Sequence, residues 1–351
     1  MKDLTLYIDC KKIQHNASVL TSRLNKKGIL ITGVSKSFLG TPAIIKALEQ
    51  AGINDFVDSR LETIKKMRDL GIQASLGLIR SPCLSQVADV IELTNYSYQS
   101  ELKIIEELSH QAQLQGKSHG VIVMIEMGDL RDGLMPLDLE SFVKKIKTLP
   151  NLILKGIGTN MFCLNQTPPK QKTMYRLSGL ANKIETTFGS KLEIVSGGNS
   201  ANLNWAFQAE NTSRINNLRL GEAILLGKET LFQKKIPDLH LDAFTLEAQV
   251  IETKKKPSHP QLDFNQASVN EWNNEINWRE QSILNFGKID VDPSGLNPEA
   301  GMKIINYSSD HLVLSSTYRK LKLGDKVSFS LNYDALSRAF ISPFVKKLIL
   351  Q

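Results

Sequence analysis

The chain has 351 residues, of which 41% are hydrophobic and 23% are charged. This composition is typical of globular proteins and excludes disordered or collagen-like chains. The net charge of +7 comes from 43 Lys and Arg against 36 Asp and Glu, but the lysines occur in short separate runs without aromatic stacking motifs. Because a nucleic-acid surface needs a basic patch or stripe, we expect no nucleic-acid partner. No apolar run approaches the roughly 20 residues that span a bilayer, so we also expect no membrane contact.

The first residues and the cysteines indicate the cellular compartment. Acidic residues interrupt the start of the chain too early for a signal peptide. The three cysteines, Cys10, Cys83 and Cys163, lie far apart and form no CxxC motif. This usage is typical of reduced proteins, and it predicts a cytoplasmic protein without a disulfide framework.

Short β-branched runs alternate with helical patterns over the first two thirds of the chain. The predicted strands are residues 28–34, 53–57, 74–79, 87–93, 121–125, 152–157, 192–195 and 215–220. The run 121–125 is almost purely apolar, as expected of a parallel strand that is covered on both faces. About eight such units in roughly 200 residues predict an N-terminal (β/α)8 TIM-like barrel rather than a doubly wound sheet.

The pattern changes after Gly227, where alternating segments follow one another without helices between them. These segments are residues 244–252, 304–316 and 326–333. Period-two alternation of this kind predicts a C-terminal antiparallel β domain. We place the barrel at residues 1–236 and the β domain at residues 237–351. A polar, Asn-rich insertion at about residues 254–282, which contains Trp272, is interpreted as a long loop.

The carboxyl ends of the predicted barrel strands carry the candidate functional residues, because the active site of such a barrel lies at that end. They are Lys36, Arg131, the Gly-rich turn 196–200 and the segment 219–221. The two Gly-containing ends would present backbone N–H groups at helix starts, which suits a phosphate. Taken singly, Arg131 would also fit an ion pair with Asp129 or Asp132. Their convergence at one end of one barrel favours a functional site.

Nine stretches of the sequence resemble the pyridoxal-phosphate enzymes of the alanine racemase fold, and within that family the alanine/ornithine racemase-like branch. They are ITGVSKSFLGTP, FVDSRLETIKKMRDLG, IEMGDLRDGLMP, GIGTN, SGGNSANL, LRLGEAILLG, DVDPSGLNP, NYSSDHLVL and LNYDALSRAF. They occur in the family's order over nearly the whole chain. The resemblance implies a barrel that holds pyridoxal 5'-phosphate and a homodimer in which each β domain completes the partner's active site.

The resemblance also implies roles for individual residues. Lys36 matches the lysine that binds the cofactor covalently, and Arg131 matches the arginine near the ring's phenolic oxygen. Arg219 matches the arginine that faces the pyridine nitrogen. Since a guanidinium keeps its proton, Arg219 would leave that nitrogen unprotonated and favour reprotonation at Cα over transamination. The remaining implied contacts are Asn199, Ser200 and the backbone at Gly221 for the phosphate, and Ser196 beneath the ring.

Two positions of the barrel depart from the family. Met124 stands where some alanine racemases carry a carbamylated lysine, and we interpret it as a core residue of its strand. Gly40, four residues after Lys36, replaces a tyrosine of the family.

The second catalytic base of the family, a tyrosine of the β domain, is also replaced. Its position matches Lys288, which is either the base or a surface lysine paired with Asp290. Asp310 and His311 fit the segment that lies beside the substrate. Either of them would supply or orient the opposing base, so the identity of this base stays open between Lys288, Asp310 and His311.

The leading hypothesis is an amino-acid racemase that takes a small-molecule substrate of the ornithine or lysine type. Alternatives are an alanine racemase, a pyridoxal-phosphate carrier without turnover, and a lyase on the same scaffold. Relatives of the lyase kind, D-serine dehydratase and D-threonine aldolase, use a His and Cys metal site in the β domain. The cysteines here lie outside that domain, and we expect no metal. The barrel-end acids available to a cationic substrate are Glu126, Asp129, Asp132 and Glu222.

Overall fold

The computed structural model describes residues 4–258 and 278–350, and the chain divides into two compact units. One unit is Cys10–Leu241, and the other combines Met1–Asp9 with Asp242–Gln351. Strand β1 (Thr5–Asp9) therefore belongs to the second unit and not to the barrel, where we expected residues from position 1 onward. The reason is backbone pairing, because the partners of β1 lie in segments near residues 244 and 346.

Eight parallel strands of the first unit close into a barrel. They are β2 (Leu30–Val34), β3 (Asp55–Asp58), β4 (Ser75–Leu78), β5 (Tyr96–Gln99), β6 (His119–Met124), β7 (Leu152–Gly158), β8 (Ile194–Ser196) and β9 (Asn217–Leu220). Strand β9 pairs in parallel with β2, which closes the ring. The predicted (β/α)8 barrel is therefore confirmed.

The fourth strand was predicted at residues 87–93, which is wrong because these residues form a helix. The strand at this place in the barrel is β5, which was missed because its sequence, Tyr-Ser-Tyr-Gln, contains no β-branched aliphatic residue. All four of its residues are nevertheless buried. The side chain of Tyr96 takes space that glycine leaves open on both neighbouring strands. A Cβ on Gly77 would lie 2.6 Å from the Tyr96 ring, and one on Gly120 would lie 2.8 Å from Tyr96 Cβ. Two glycines that look like weak strand formers thus make room for one tyrosine side chain inside the barrel.

The strands of the barrel are connected by helices that pack their apolar faces inward. They are α1 (Cys10–Asn25), α2 (Pro42–Gln50), α3 (Leu61–Asp69), α4 (Val87–Leu93), α5 (Leu102–Leu114), α6 (Leu139–Ile146), α7 (Gln171–Phe188), α8 (Leu203–Gln208) and α9 (Glu222–Leu226). Helix α2 begins with proline, whose fixed φ suits the first helical position. It buries Ile44, Ile45, Ala47 and Leu48 at helical spacing. None of the helices within residues 4–258 and 278–350 is both long and apolar enough to cross a membrane.

The second unit is a mainly antiparallel sheet with one helix. Its further elements are β10 (Phe244–Pro257), β11 (Trp278–Leu284), β12 (Leu296–Pro298), β13 (Met302–Tyr307), β14 (Leu312–Ser316), β15 (Lys326–Leu331), α10 (Tyr333–Ile341) and β16 (Lys346–Leu350). The strand order is β12-β15-β10-β11-β14-β13, and β1 pairs with both β10 and β16. The predicted antiparallel β domain is confirmed, although β1 and β16 run parallel to each other.

The polar stretch interpreted as a loop at about residues 254–282 has strands at both described ends. Pro257 of β10 pairs with Trp278 of β11, and the antiparallel register continues back to Val250 and Leu284. This hairpin is solvated, so its polar sequence does not show the alternation that identifies a half-buried strand. Ion pairs of Glu252 with two lysines of β10 help to stabilise it. Residues 259–277, which include Trp272, lie outside the described part of the chain.

A buried histidine couples the stability of the barrel to pH. His119 begins β6 and is 1% exposed, and its Nε2 lies 2.9 Å from Ser97 Oγ. Burial lowers the pKa of His119 from an ordinary value of 6.5 to about 4. The unfolded chain therefore binds a proton below pH 6.5 that the folded barrel does not bind.

We predict that His119→Gln reduces the loss of stability on acidification. The contribution of neutral His119 is fully present above about pH 6.5 and is lost as the pH falls toward 4, which amounts to about 3 kcal/mol. Chemical denaturation at a series of pH values measures this slope, with His110→Gln at an exposed histidine as the matched control. A His119→Gln protein with the native slope would contradict the assignment.

Candidate active site

The guanidinium of Arg219 lies at the carboxyl end of β9 and is 4% exposed. Its Nη1 donates to Ser196 Oγ at 2.5 Å, and its Nη2 donates to the carbonyl of Thr159 at 2.7 Å and to Asn160 Oδ1 at 2.6 Å. A buried charge is tolerated only when polar atoms compensate it. The ends of β7 and β8 supply those atoms. The carboxylate of Glu222, three residues after Arg219, accepts from Thr230 and Gln233.

The hydrogen bonds of Arg219 continue across the barrel. Ser196 Oγ donates to Asn217 Oδ1 at 2.6 Å, and Asn217 Nδ2 donates to Thr32 Oγ1 at 2.9 Å. The hydroxyls of Thr32 and Tyr96 both donate to Asp55 Oδ2, each at 2.7 Å. We call this set, from Arg219 through Ser196, Asn217 and Thr32 to Asp55 and Tyr96, the Arg219 network. It joins four neighbouring strands and β5, so the orientation of the guanidinium is held by the barrel itself.

Tyr98 is a site residue that sequence reasoning missed, because β5 was not recognised. Its ring centroid lies 4.9 Å from Cζ of Arg219, a distance at which a cation and an aromatic face attract. Burial raises the pKa of the Tyr98 hydroxyl, and the charge of Arg219 partly opposes that rise. Two tyrosines at a spacing of two, between helical patterns, were the signal that could have identified the strand.

Lys36 begins a single 3-10 turn directly after β2, and its side chain is exposed at the end of the barrel. The preceding residue, Ser35, donates from Oγ to Asp58 Oδ2 at 2.6 Å, which ties the end of β2 to the end of β3. Burial raises the pKa of Asp58, while the hydrogen bond from Ser35, the backbone N–H of Arg60 and the charge of Lys36 oppose it. Lys36 therefore stands on a fixed turn with a buried acid close enough to interact with its charge.

Arg131 lies in the loop after β6. Its Nε donates to Asp132 Oδ1 at 2.6 Å and lies 3.8 Å from Asp129 Oδ2. Of the two ion pairs that the sequence left open, the one with Asp132 is a direct hydrogen bond, and the one with Asp129 is a longer contact.

Three predicted cations lie close enough to the thiol of Cys163 for their charges to act on it. Burial raises the pKa of this thiol, and the positive charges of Arg131, Lys36 and Arg219 oppose the rise. These residues come from the ends of β6, β2 and β9, so all three charges act on the thiol from one end of the barrel. Asn199 reaches the same place, because its Nδ2 donates to Cys163 Sγ at 3.1 Å.

The predicted phosphate residues lie at two helix starts that are joined to each other. Asn199 Oδ1 accepts from the N–H of Ala201 and so caps the 3-10 turn before α8. Ser200 Oγ accepts from the N–H of Ala223, in the first turn of α9, at 3.3 Å. A Cβ on Gly221 would lie 3.2 Å from Cβ of Val34, two residues before Lys36. Backbone N–H groups of two helix starts are thereby gathered beside the lysine.

The two departures from the family have structural explanations. Met124 is 2% exposed and packs in a core cluster with Val34, Tyr98 and Ile122, as interpreted from the sequence. Gly40 has φ of 59°, and a Cβ there would lie 2.6 Å from Cγ of Met67. A tyrosine at position 40 would therefore require the Met67 side chain to repack.

In the second unit, considered by itself, the three candidate bases share one loop cluster. The backbone N–H of Lys288 donates to the carbonyl of Ser308 at 2.9 Å, and the N–H of Ser308 donates to the carbonyl of His311 at 2.8 Å. Lys288, Asp310 and His311 are all exposed. Asp290 accepts from the N–H of Gly287 through its carboxylate. Because Lys288, Asp310 and His311 are exposed, each of them is accessible to a ligand. Which of the three is the second base stays a prediction.

We predict that Ser196→Ala lowers the free energy of unfolding by about 1–3 kcal/mol, because it leaves buried polar groups of Arg219 and Asn217 without a partner. Thermal and chemical denaturation measure the change. Ser141→Ala is the matched control, since the Ser141 hydroxyl is exposed and bonds only locally; we expect a change within about 0.5 kcal/mol. Equal effects of the two substitutions would contradict a stabilising role for the Arg219 network.

Comparisons with known proteins agree with this geometry. Residues 8–228 match the family model of the alanine racemase N-terminal domain. The chain is 35% identical to an ornithine racemase of Acetoanaerobium sticklandii over 98% of both chains. It is 32% identical to a lysine racemase of Thermotoga maritima, over 98% of this chain and 97% of that protein.

A solved structure with the same fold is the alanine racemase from Streptomyces lavendulae. It superposes with a TM-score of 0.79 at 16% identity, over all of this chain and 98% of the other. The superposition extends over both units, so the likeness is not confined to a common barrel. The closed barrel, the antiparallel sheet and the two full-length matches lead to one conclusion: the chain belongs to the alanine racemase family.

Proposed function

We propose that this protein is a pyridoxal-phosphate-dependent racemase of a basic amino acid such as ornithine or lysine, and that it works in the cytoplasm as a homodimer. Membership of the family makes it an amino-acid racemase. The observation that carries the cofactor assignment is the convergence of Lys36, Arg131 and Arg219 beside two joined helix starts. The full-length matches to an ornithine and a lysine racemase support the substrate class.

The residues at the barrel end fit this cofactor, which presents an aldehyde, a phenolic oxygen, a ring nitrogen and a phosphate. The amine of Lys36 would bind the aldehyde, and Arg131 would face the phenolic oxygen. Asn199, Ser200 and the N–H at Gly221 would hold the phosphate, since helix starts attract anions. When bound, the cofactor would withdraw electrons from the Cα–H bond of an amino acid.

Arg219 would determine how that electron withdrawal is used. Three of its five N–H donors bond to Ser196, Thr159 and Asn160, which leaves donor capacity for a ring nitrogen. A guanidinium does not give up its proton, so it would donate to the nitrogen without protonating it. Ser196, which the resemblance implied beneath the ring, would act instead by positioning Arg219, because its hydroxyl is used between Arg219 and Asn217.

Racemisation needs a base on each face of Cα, one to remove the proton and one to return it. Lys36 would serve one face. Arg131 and Arg219 are unsuited to the other because they stay protonated. The second base would come from the loop cluster of Lys288, Asp310 and His311 in the partner's β unit, which is why we propose a homodimer with shared sites.

The preference for a cationic substrate has an electrostatic basis in the barrel-end acids. Glu126 accepts from the N–H groups of Gly128 and Arg131, which fixes one carboxylate at the rim. With Asp129 and Asp132 in the same loop, three acids surround one arginine. A carboxylate of this loop would pair with a substrate side chain that ends in an ammonium.

We predict that the protein, loaded with pyridoxal phosphate, introduces solvent deuterium at Cα of ornithine or lysine at least about tenfold faster than at Cα of alanine. Lys36→Ala abolishes the exchange, whereas Lys65→Ala, at an exposed lysine paired with Asp69, retains it. Mass spectrometry and NMR measure the exchange. Equal exchange into alanine and ornithine would contradict the preference for a basic substrate, and the absence of exchange into any amino acid would contradict racemisation.

We predict that two inactive proteins, Lys36→Ala and Lys288→Ala, regain activity when their subunits exchange. Each heterodimer would contain one intact site and so up to half the activity of a native dimer. Native mass spectrometry verifies the exchange while racemisation is assayed. No recovery after verified exchange is evidence against shared sites, and an active Lys288→Ala homodimer would move the second-base assignment to His311 and Asp310.

A further inference from the structure

Asp129 is a buried acid in the loop that follows β6, with 3% of its surface exposed. Its Oδ1 accepts from the backbone N–H groups of Cys163 and Leu164, at 2.8 and 3.1 Å. Both donors belong to the loop after β7, so the carboxylate is fixed by a neighbouring loop. Burying a carboxylate costs desolvation free energy, and this cost is offset only when both of its oxygens have hydrogen-bond or ion-pair partners.

The other oxygen of Asp129 faces Arg131 without bonding to it. Oδ2 is buried and makes no hydrogen bond to any residue within 4–258 and 278–350. It lies 3.8 Å from Arg131 Nε, which donates to Asp132 instead. The Asp132 side chain is 31% exposed. Arg131 thus stands between two carboxylates, of which one is fixed and buried and the other is solvated.

The surroundings of Arg131 make Asp129 the better anchor. Strand β6 ends in the apolar Met124, which belongs to the core. The carboxylate of Glu126 already accepts the N–H groups of its own loop. A solvated ion pair such as that with Asp132 contributes little and is screened by salt, whereas an acid held by two backbone donors gives the guanidinium one defined partner.

We propose that Asp129 is the positioning residue for Arg131, with its buried Oδ2 drawing the guanidinium from Asp132 and holding it in the orientation that contacts the cofactor. This inference rests on the proposed function, in which Arg131 faces the phenolic oxygen of pyridoxal phosphate. Oδ2 gains the donor that it lacks, and Asp132 is left to solvent.

The test is a double-mutant cycle on the dissociation constant of pyridoxal phosphate, measured by titrating the cofactor into the full-length protein. Asp129→Asn keeps the Oδ1 acceptor for Cys163 and Leu164 but removes the charge, and Arg131→Gln removes the partner. We expect Asp129→Asn to weaken binding about tenfold in the native background and less than about twofold in the Arg131→Gln background. Asp132→Asn, the matched comparison, weakens binding about twofold or less.

Each other outcome overturns the proposal. Equal losses in both backgrounds would show that Asp129 does not act through Arg131, and a larger loss with Asp132→Asn would assign the role to that acid. Unchanged cofactor affinity with a raised KM for ornithine would place Asp129 at the substrate. If circular dichroism shows that Asp129→Asn does not fold, Asp129→Glu replaces it in the same cycle. A native protein that binds no pyridoxal phosphate overturns the proposed function as well, whereas binding without coupling overturns this inference alone.

Discussion

The permanent positive charge of Arg219, placed inside a narrow parallel barrel, is the constraint on which the rest of the site depends. Burial of such a charge is stable only if the surrounding strands present acceptors. The barrel does so with Ser196, Thr159 and Asn160 from β7 and β8. The hydrogen bonds then continue through Asn217 to Thr32. Interior positions that an ordinary barrel would fill with aliphatic side chains are therefore polar here.

Buried polar contacts also connect the strand ends and loops at the site. Ser35 bonds Asp58 and so ties the ends of β2 and β3, while Asp129 bonds the backbone at Cys163 and so ties the loops after β6 and β7. In each tie, one oxygen of a buried carboxylate accepts from the end of a neighbouring strand or from a neighbouring loop. Loops held in this way keep the backbone that carries the candidate residues Lys36 and Arg131 in place, which would reduce the entropy lost when a ligand binds.

The sequence could predict the barrel because seven of its strands are apolar runs between helical patterns. It missed β5, since the space for Tyr96 is left by Gly77 and Gly120 on the neighbouring strands, a relation that only the three-dimensional packing reveals. It also assigned the first residues to the barrel, because the pairing of β1 with β10 and β16 joins segments more than two hundred residues apart. Strand residues that are all polar, such as Lys254–Pro257, lack the alternation of apolar and polar residues by which a strand is recognised.

The candidate site also has some features that the sequence predicts and others that only the structure reveals. Lys36, Arg131 and Arg219 could be selected as candidates from the sequence, because the carboxyl ends of the strands of a barrel all lie at one end. The roles of Ser196 and Asp129 could not be predicted, since they depend on which hydroxyl or carboxylate oxygen faces which donor. In the β unit, the sequence identified Lys288, Asp310 and His311, and their shared loop cluster appears only when Gly287 and Ser309 pack backbone against backbone.

The measurement that tests the central claim most directly is the protonation state of the ring nitrogen in bound pyridoxal phosphate. Nitrogen-15 NMR of the labelled cofactor in the native protein reports it from the chemical shift. If Arg219 is a buried donor that cannot release its proton, the nitrogen is unprotonated in the native protein at neutral pH and becomes protonated in Arg219→Glu. A protonated nitrogen in the native protein, or the same state in both proteins, would contradict the account.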